Sequence, residues 1–469
     1  MSVHEQVEQL PVVVIGAGPV GLAAGAHLAE RGVAFTVLES GTEAGAAVRA
    51  WGHVRVFSPW RYNIDAAARR LLEGAGWSAP EADELPTGHE LVDMYLAPLA
   101  KHPAVAPHVR YAQRVTGISR VGFDRVRTVG RDEAPFVLRV ASDEGDVRLR
   151  ARAVIDASGT WVSPNVLGGD GLAADGEAEA RAAGVVSSAL PDVLGAERAE
   201  YAGRRVLVAG AGHSATNTLL NLAQLAEQEP ATRLAWAIRG QVGQRVFGGG
   251  QADELPARGA LGSRLKELVD SGRVELLTGF SIEAVHQRED GVRVTSADGR
   301  TVTVDRIVSA TGFRPDHALT GELRTDWDPV LGATRALAPL IDPNEHSCGT
   351  VPPHGQEELA HPEPGYYAVG MKSYGRAPTF LMATGYEQVR SIAAHLDGDF
   401  AAAAEVHLEL PETGVCSANP DESAGGGSCC GPAPVAVSIG RGLATGIGGG
   451  LLSSPLQLIE SGNGGSGCC

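Results

Sequence analysis

Cysteine is absent from the first 347 residues of this 469-residue chain, which excludes one class of protein. The six cysteines are Cys348, Cys416, Cys429, Cys430, Cys468 and Cys469. A secreted domain stapled by disulfides carries cysteines along its length, so this distribution is not that of a secreted framework. Thiols clustered at one end, in a reducing compartment, indicate soft-ion binding or redox chemistry.

Positive charge and long apolar runs are also scarce. Lys and Arg number 39 against 56 Asp and Glu, giving a formal net charge of −17. Such a charge argues against nonspecific binding to nucleic acid. The least polar run, residues 12–29, is broken by four glycines and a proline and follows Glu5 and Glu8, so it resembles neither a signal peptide nor a membrane span. We therefore expect a cytoplasmic protein with neither a nucleic-acid nor a membrane partner.

Glycine is abundant, and two glycine-rich segments carry most of the information. Each follows a short apolar run, at residues 12–15 and 206–209. The segments are Gly16-Ala17-Gly18-Pro19-Val20-Gly21 and Gly210-Ala211-Gly212-His213-Ser214-Ala215. A strand, a tight glycine turn and a helix N-terminus bring backbone N–H groups to a pyrophosphate. Two such segments in one chain predict two dinucleotides and electron transfer between them.

The residue that ends the next strand differs between the two segments. In the first unit the strand at residues 33–38 ends at Glu39, 18 residues after Gly21. A carboxylate at this place accepts hydrogen bonds from a ribose diol. In the second unit the strand at residues 234–238 ends at Arg239, which can pair with a 2′-phosphate. The second site is therefore predicted to take NADPH rather than NADH.

The order of the patterns predicts an α/β fold with two Rossmann-like dinucleotide-binding domains. Apolar runs that end in small-residue turns recur at residues 153–159 and 304–312, and a further short strand is expected at residues 365–370. We assign residues 1–195 and 306–410 to a discontinuous first domain, and residues 200–305 to a second domain inserted in it. Residues 168–200 read as a linker, and residues 413–469 as a flexible low-complexity tail that carries cysteine pairs.

The two loops, together with residues 310–316 (Ala-Thr-Gly-Phe-Arg-Pro-Asp), resemble the class B flavin monooxygenases and their two-dinucleotide relatives. Residues 51–63, 348–355 and 371–379 more narrowly resemble the flavin-binding monooxygenases of bacterial arsenic-resistance operons. The resemblance implies FAD in the first domain, NADPH in the second, and transfer of oxygen from O2 to a small soft nucleophile such as trivalent arsenic. The expected partners are this small-molecule substrate and O2. Whether the chain also pairs with a second copy of itself as a homodimer is left open by the sequence.

The motifs and the resemblance together give the expected site residues, with Trp51 taken from an aromatic segment that lines the cofactor or forms a small core of its own. The expected FAD-binding residues are Gly16, Gly18, Pro19, Gly21, Glu39, Trp51, Gly159, Gly312 and Gly370. The expected NADPH-binding residues are Gly210, Gly212, His213, Ser214, Ala215 and Arg239. Lys372 and Arg376 are expected to stabilise negative charge at the flavin, and Cys348 is a candidate redox thiol.

Two other functions remain open at this point. The Phe-x-Gly-x-x-x-His fingerprint of these monooxygenases is missing, because residues 183–192 lack both the Phe and the His. An NADPH-dependent reductase of a thiol or disulfide would have to use Cys348 alone, since the sequence contains no Cys-x-x-Cys. A metalloid-binding protein would use the tail cysteines as thiolate ligands for As(III): Cys416, Cys429, Cys430, Cys468 and Cys469.

Overall fold

A computed structural model describes residues 7–241, 247, 256–346 and 351–408. In this part of the chain the strands are, in order, β1 (Val12–Ile15), β2 (Phe35–Leu38), β3 (Val109–Arg110), β4 (Arg114–Arg120), β5 (Phe136–Ala141), β6 (Val147–Ala151), β7 (Ala153–Asp156), β8 (Val186–Ser187), β9 (Arg205–Ala209), β10 (Arg233–Ala237), β11 (Glu275–Leu277), β12 (Ile282–Arg288), β13 (Gly291–Ser296), β14 (Thr301–Val304), β15 (Arg306–Ser309) and β16 (Tyr366–Ala368).

The helices of the same residues are mostly short. They are α1 (Pro19–Glu30), α2 (Ala46–Arg49), α3 (Ala66–Gly74), α4 (Gly88–Leu91), α5 (Ala97–Lys101), α6 (Glu177–Ala182), α7 (Arg198–Tyr201), α8 (His213–Gln228), α9 (Pro256–Asp270), α10 (Ala338–Ile341), α11 (Gln356–Leu359), α12 (Met382–Leu396) and α13 (Phe400–Ala404). Four 3₁₀ turns (Trp60–Tyr62, Ala106–His108, Ala318–Thr320 and Gly370–Tyr374) and one π-helical turn (Val92–Leu96) complete them.

The first sheet is parallel, with strand order β16-β7-β1-β2-β3. All four residues of β1 are buried, as expected for a strand covered on both faces. Helices α1 and α12 pack over one face, and the antiparallel meander β4-β5-β6 covers the other. The carboxyl ends of β1, β7 and β16 therefore lie side by side, which is where such sheets bind ligands.

The second sheet repeats this plan with strand order β11-β10-β9-β15-β8, again parallel. Helix α8 packs over one face, and the antiparallel sheet β12-β13-β14 shares a hydrophobic core with the other. In the second sheet β9 corresponds to β1 of the first sheet, and its neighbour β15 corresponds to β7. The prediction of two Rossmann-like domains is confirmed.

The predicted boundary at residue 306 is wrong. Strand β15 (Arg306–Ser309) pairs with β9, so it belongs to the second sheet and not to the first domain. Its pattern resembles that of β7 because both strands have the same role, each in its own sheet. The predicted linker at residues 168–200 is also wrong, since it contains α6, β8 and α7, and β8 pairs with β15. The chain re-enters the first sheet at β16.

Within the described residues, no helix has the length and apolar character that crossing a membrane requires.

Candidate functional site: two nucleotide loops and a buried ion pair

The first glycine loop joins β1 to α1 and is closely packed against the end of β7. Gly16 has φ +98°, and a Cβ there would lie 2.8 Å from the Ala157 carbonyl oxygen. A Cβ on Gly21 would lie 1.9 Å from the Gly16 carbonyl oxygen, so α1 can approach the loop only because Gly21 has no side chain. A Cβ on Gly18 meets nothing within 4 Å, which leaves its backbone open to a ligand.

Pro19 and Glu39 complete this loop. Pro19 stands in the first turn of α1, where its fixed φ favours the helix and its missing N–H costs nothing. Glu39 is 8% exposed, and its carboxylate accepts hydrogen bonds from the N–H groups of Ala17 and Gly41, both at 2.7 Å. The acid at the end of β2 thus touches the loop, which is the arrangement that a diphosphate and its ribose require.

The second glycine loop joins β9 to α8 in the same way. Gly210 has φ +125°, and a Cβ there would lie 2.0 Å from the Ala310 carbonyl oxygen at the end of β15. Gly212 is open like Gly18, with nothing within 4 Å of a Cβ. Helix α8 begins at the exposed His213, followed by the half-buried Ser214 and the buried Ala215. The helix N-terminus thus faces outward, as anion binding requires.

Arg239 lies just beyond β10 and is exposed. Its Nη1 donates a hydrogen bond to the Gly169 carbonyl at 2.9 Å, which holds the guanidinium beside the second sheet. Among the described residues Gly169 is the hydrogen-bond partner of this guanidinium, which leaves further donors of the fork for a phosphate. His213 is also contacted from the first domain, because its ring centroid lies 4.9 Å from that of Phe57.

The two domains are joined by two chain segments that run side by side. Asn165 N–H donates to the Gly312 carbonyl at 2.9 Å, and the Asn165 side chain donates to the Thr311 carbonyl at 3.0 Å. Gly312 has φ +88°, a conformation that favours glycine. This pairing sets Gly312 beside the segment that follows Gly159, so both glycines lie at the junction of the domains.

A buried ion pair lies where β7 and β16 end. Lys372 is 1% exposed and donates from Nζ to Asp156 Oδ2 at 2.7 Å and to Ser158 Oγ at 3.1 Å. Tyr366 also donates its hydroxyl proton to Asp156 Oδ2, at 3.1 Å, and Ser158 Oγ donates to Asp156 Oδ1 at 2.6 Å. Burial alone would raise the pKa of Asp156, but the charge of Lys372 and the hydrogen bonds from Lys372 and Ser158 outweigh burial and lower the pKa.

The turn that carries Lys372 is fixed by a buried glutamine. Gly370 has φ +66°, and its N–H donates to Gln388 Oε1 at 2.8 Å. Gln388 Nε2 in turn donates to Ser373 Oγ at 2.9 Å and lies 3.0 Å from His354 Nε2. Arg376 follows the turn and is exposed, and its backbone N–H donates to the Leu331 carbonyl at 2.8 Å. The structure thus brings Gly370 and Lys372 to the first loop and leaves Arg376 at the surface.

Trp51 is half-buried, packs against the first hydrophobic core and lies over Gly88, whose Cβ would be 2.9 Å from the indole ring. Cys348 and the tail residues Cys416, Cys429, Cys430, Cys468 and Cys469 lie outside the described residues.

Sequence reasoning missed Asp156, Ser158 and Tyr366. Asp156 and Ser158 stand in the segment 153–159, so a polar pair directly after a buried strand was an available signal. Tyr366 is 210 residues away from Asp156 in the sequence, and no local pattern joins the two.

These features define the class of protein. The tight glycine cradle and the acid at Glu39 fit FAD at the first loop, and the open Gly212 with Arg239 fits NADPH at the second. A family model described as pyridine nucleotide-disulphide oxidoreductase matches residues 13–330. The chain belongs to this family and is a flavin-dependent oxidoreductase that uses FAD and NADP(H), which confirms the predicted enzyme class and cofactors.

Individual relatives are distant. The chain is 27% identical over 282 residues to a ferredoxin–NADP reductase of Gluconobacter oxydans, covering 59% of this chain and 68% of that protein. The solved structure of a bacillithiol disulfide reductase from Bacillus cereus matches with TM-score 0.61 at 17% identity, covering 83% of this chain and 99% of that one. A variant of a flavin monooxygenase from Stenotrophomonas maltophilia matches with TM-score 0.52 at 21% identity, with 83% and 98% covered. At these identities the solved structures support the fold alone.

Proposed function

We propose that this chain is an NADPH-dependent FAD monooxygenase that transfers oxygen from O2 to a small soft nucleophile, with trivalent arsenic compounds as the substrate class. The observation that carries the proposal is the composition of the strand ends beside the first loop. They present Asp156, Ser158 and Lys372, and the sequence has no cysteine before Cys348. The described part of this site holds charged groups and a serine, which favours O2, a small diffusible acceptor of electrons, over a disulfide.

Each cofactor is bound by its own glycine loop and by the residue that ends the following strand. Gly16, Gly18 and Gly21 let the backbone approach the FAD diphosphate, while Glu39 binds its ribose. Gly210, Gly212 and the N-terminus of α8, with His213, Ser214 and Ala215, receive the NADPH diphosphate, and Arg239 receives its 2′-phosphate.

Bound FAD supplies the redox chemistry, by taking two electrons from NADPH and passing them on. Lys372, held by Asp156, fixes a positive charge beside the first loop, where it stabilises negative charge that develops during the reaction. Arg376 follows this turn and has an exposed guanidinium, which would supply a second positive charge toward the flavin.

The arsenic substrate class is supported by three stretches of sequence, at residues 51–63, 348–355 and 371–379. The stretch at 371–379 contains Lys372 and Arg376, and the stretch at 51–63 contains Phe57, which contacts His213. Two of the three stretches thus lie near the cofactor loops, and this proximity supports the proposal that they contribute to the substrate site.

A second candidate function is transfer of electrons from NADPH to a protein carrier. It is favoured by the name of the relative in Gluconobacter oxydans, a ferredoxin–NADP reductase. Reduction of a small disulfide is a related candidate, supported by the fold likeness to bacillithiol disulfide reductase and by Cys348 as a lone thiol. A homodimer is compatible with each of these functions.

The test follows NADPH oxidation by the purified holoenzyme under air, with arsenite, with methylarsenite and with neither, while oxidised arsenic is quantified. We expect oxidised arsenic in a one-to-one ratio with NADPH consumed, and no product without O2. Anaerobic reduction of ferredoxin by NADPH, without any arsenic product under air, would establish the electron-transfer function instead.

A matched variant assigns the role of the tail. The five tail cysteines Cys416, Cys429, Cys430, Cys468 and Cys469 are replaced together by serine. If the tail delivers the metalloid, the KM for arsenite rises while NADPH oxidation without substrate is unchanged. An unchanged KM would exclude a role of the tail in the reaction.

A further inference from the structure

Residues 165–175, which we call the connector, run from the first domain along strand β12 of the second. The N–H of Gly169 donates to the Ile282 carbonyl at 3.0 Å, and the N–H of Asp175 donates to the Glu283 carbonyl at 2.9 Å. The connector precedes β9 in the chain. It is thus built into the second domain, although it lies outside the β-α-β unit that contains the second glycine loop.

Gly169 is packed too closely for any other residue. A Cβ at this position would lie 1.8 Å from Ser281 Oγ and 3.0 Å from Ser281 Cβ. The first distance is far shorter than a van der Waals contact, so with a side chain here either the connector or Ser281 has to move. Since the N–H of Gly169 is bonded and its Cα faces Ser281, the direction of its carbonyl group is fixed.

The backbone of Arg239 is held by its neighbours on both sides. The N–H of Ile238 donates to the Leu277 carbonyl at 3.0 Å. The Gly240 carbonyl accepts from the N–H of Gly279, also at 3.0 Å. The position of the Arg239 Cα is therefore set by strand β11 and the turn after it, and the long side chain is what remains to be ordered.

The Gly169 carbonyl orders that side chain. It accepts a hydrogen bond from Arg239 Nη1 at 2.9 Å, while the arginine is otherwise exposed. An arginine loses rotamer entropy when it binds an anion, and this loss lowers the affinity. A guanidinium already held by one hydrogen bond has lost part of this freedom before the ligand arrives. The bond takes one of the five N–H donors of the fork.

We propose that Gly169 is a positioning residue for Arg239. The second site then distinguishes NADP(H) from NAD(H) through the connector as well as through the residue that follows β10. Gly169 acts through Arg239 and does not itself bind the phosphate. The proposal rests on the assignment of the 2′-phosphate to Arg239 under the proposed function, and it is independent of the substrate that receives the oxygen.

The experiment measures the Kd of NADP+ and of NAD+ for the FAD-loaded protein by calorimetry, without turnover. We expect Gly169→Ala to raise the Kd of NADP+ about 3- to 10-fold, the range that corresponds to ordering one long side chain. The Kd of NAD+ should not change, because NAD+ has no 2′-phosphate. Arg239→Gln, measured alongside, should raise the Kd of NADP+ further.

Two variants of Ser281 separate positioning from general damage. Ser281→Gly is the matched control, because it removes the side chain that the added methyl group would meet and leaves Gly169 in place. It should bind both nucleotides as the original protein does. In Gly169→Ala/Ser281→Gly the methyl group occupies the space that the serine left, so the preference for NADP+ should return.

A second double variant tests whether Gly169 acts through Arg239. In Gly169→Ala/Arg239→Gln the Kd of NADP+ should equal that of Arg239→Gln alone, since no guanidinium is left to position. The flavin absorbance per chain verifies that each variant is folded. If Gly169→Ala does not fold, Ser281→Val replaces it, because this change crowds the same contact from the other side.

Three results overturn the proposal. The first is an unchanged Kd of NADP+ in Gly169→Ala, and the second is an equal rise for NADP+ and NAD+, which would make the connector a support of the fold and not of selectivity. The third is additivity in Gly169→Ala/Arg239→Gln. If Arg239→Gln keeps the preference for NADP+, the assignment of the 2′-phosphate is wrong and the proposal falls with it. An absence of oxidised arsenic in the assay of the proposed function leaves all these binding constants unaffected.

Discussion

The two nucleotide loops share one backbone geometry and differ in the charges around it. Glu39 is buried and bonded to the first loop through Ala17, whereas Arg239 is exposed and bonded to Gly169, outside the second loop. A buried carboxylate is therefore bonded to the backbone of the first loop, whereas the second loop has an exposed guanidinium nearby that is not bonded to it. We therefore expect the same turn to bind two different nucleotides, with the residue that ends the following strand distinguishing their riboses.

The interiors of the two domains also differ in the number of charged side chains that they bury. The first domain buries charged groups, among them Asp156 with Lys372 and Glu363 with Arg120 and Arg131. Among the described residues of the second domain, the buried charged side chain is Glu177, which pairs with Arg181. The first domain is thus expected to be the part that a change of pH or of a single charge disturbs.

The largest effect is expected from Gly21→Ala. The added Cβ would lie 1.9 Å from the Gly16 carbonyl oxygen, so helix α1 must move away from the loop. We expect the variant to be purified without FAD and without NADPH oxidation, as measured by the flavin absorbance per chain. The second loop has Ala215 at the corresponding place, so the close approach is a property of the first loop alone.

Gly74→Ala is the control for this change, because a Cβ there meets nothing within 4 Å. It should keep a full complement of FAD. A Gly21→Ala protein that retains FAD with unchanged affinity would contradict the view that helix packing at the first loop determines binding.

How far the sequence predicts this molecule follows from the range of each signal. The positions of both glycine loops, Glu39 and Arg239 in the fold could be predicted because each motif lies within one β-α-β unit, where spacing alone determines the geometry. Strand β15 was assigned to the wrong sheet, since its local pattern is the same as that of β7. The Lys372–Asp156 pair spans 216 residues, and only the packing of β16 against β7 brings it together.

The second largest effect is expected from Arg239→Gln, which removes the cation at the open loop. Hydrogen bonds to charged groups contribute roughly 1.5–3 kcal/mol, so the KM for NADPH should rise about 10- to 100-fold. The KM for NADH should not change, because NADH has no 2′-phosphate. Steady-state kinetics with both cofactors measure the ratio.

Arg233→Gln is the matched control, because Arg233 begins the strand that Arg239 follows and its Nη1 bonds to the Thr232 carbonyl at 3.0 Å. It should leave both KM values unchanged. Equal increases for NADPH and NADH in Arg239→Gln would mean that the arginine does not recognise the 2′-phosphate.

The smallest effect concerns acid stability and tests the contrast between the two interiors. His361 is 8% exposed, and its Nδ1 accepts from the Asp326 N–H at 3.2 Å. Burial lowers its pKa to about 4, with a further contribution from His317. An unfolded histidine titrates near 6.5, so the unfolded chain binds a proton that the folded chain does not as the pH falls from about 6.5 to about 4. Stability contributed by the neutral ring is therefore lost on acidification, by roughly 2 kcal/mol between pH 7 and pH 5.

His361→Asn tests this directly, because asparagine keeps an acceptor near the place of Nδ1 and does not titrate. The free energy of unfolding is measured with denaturant at pH 7 and at pH 5. Between these two pH values we expect the original protein to lose roughly 2 kcal/mol more stability than the variant. His286→Asn is the counterpart in the second domain, where the side chain is exposed on β12, and it should leave the pH dependence unchanged. An equal pH dependence in His361→Asn and the original protein would show that acid lability does not come from this buried histidine. An effect of His286→Asn as large as that of His361→Asn would remove the contrast between the two interiors.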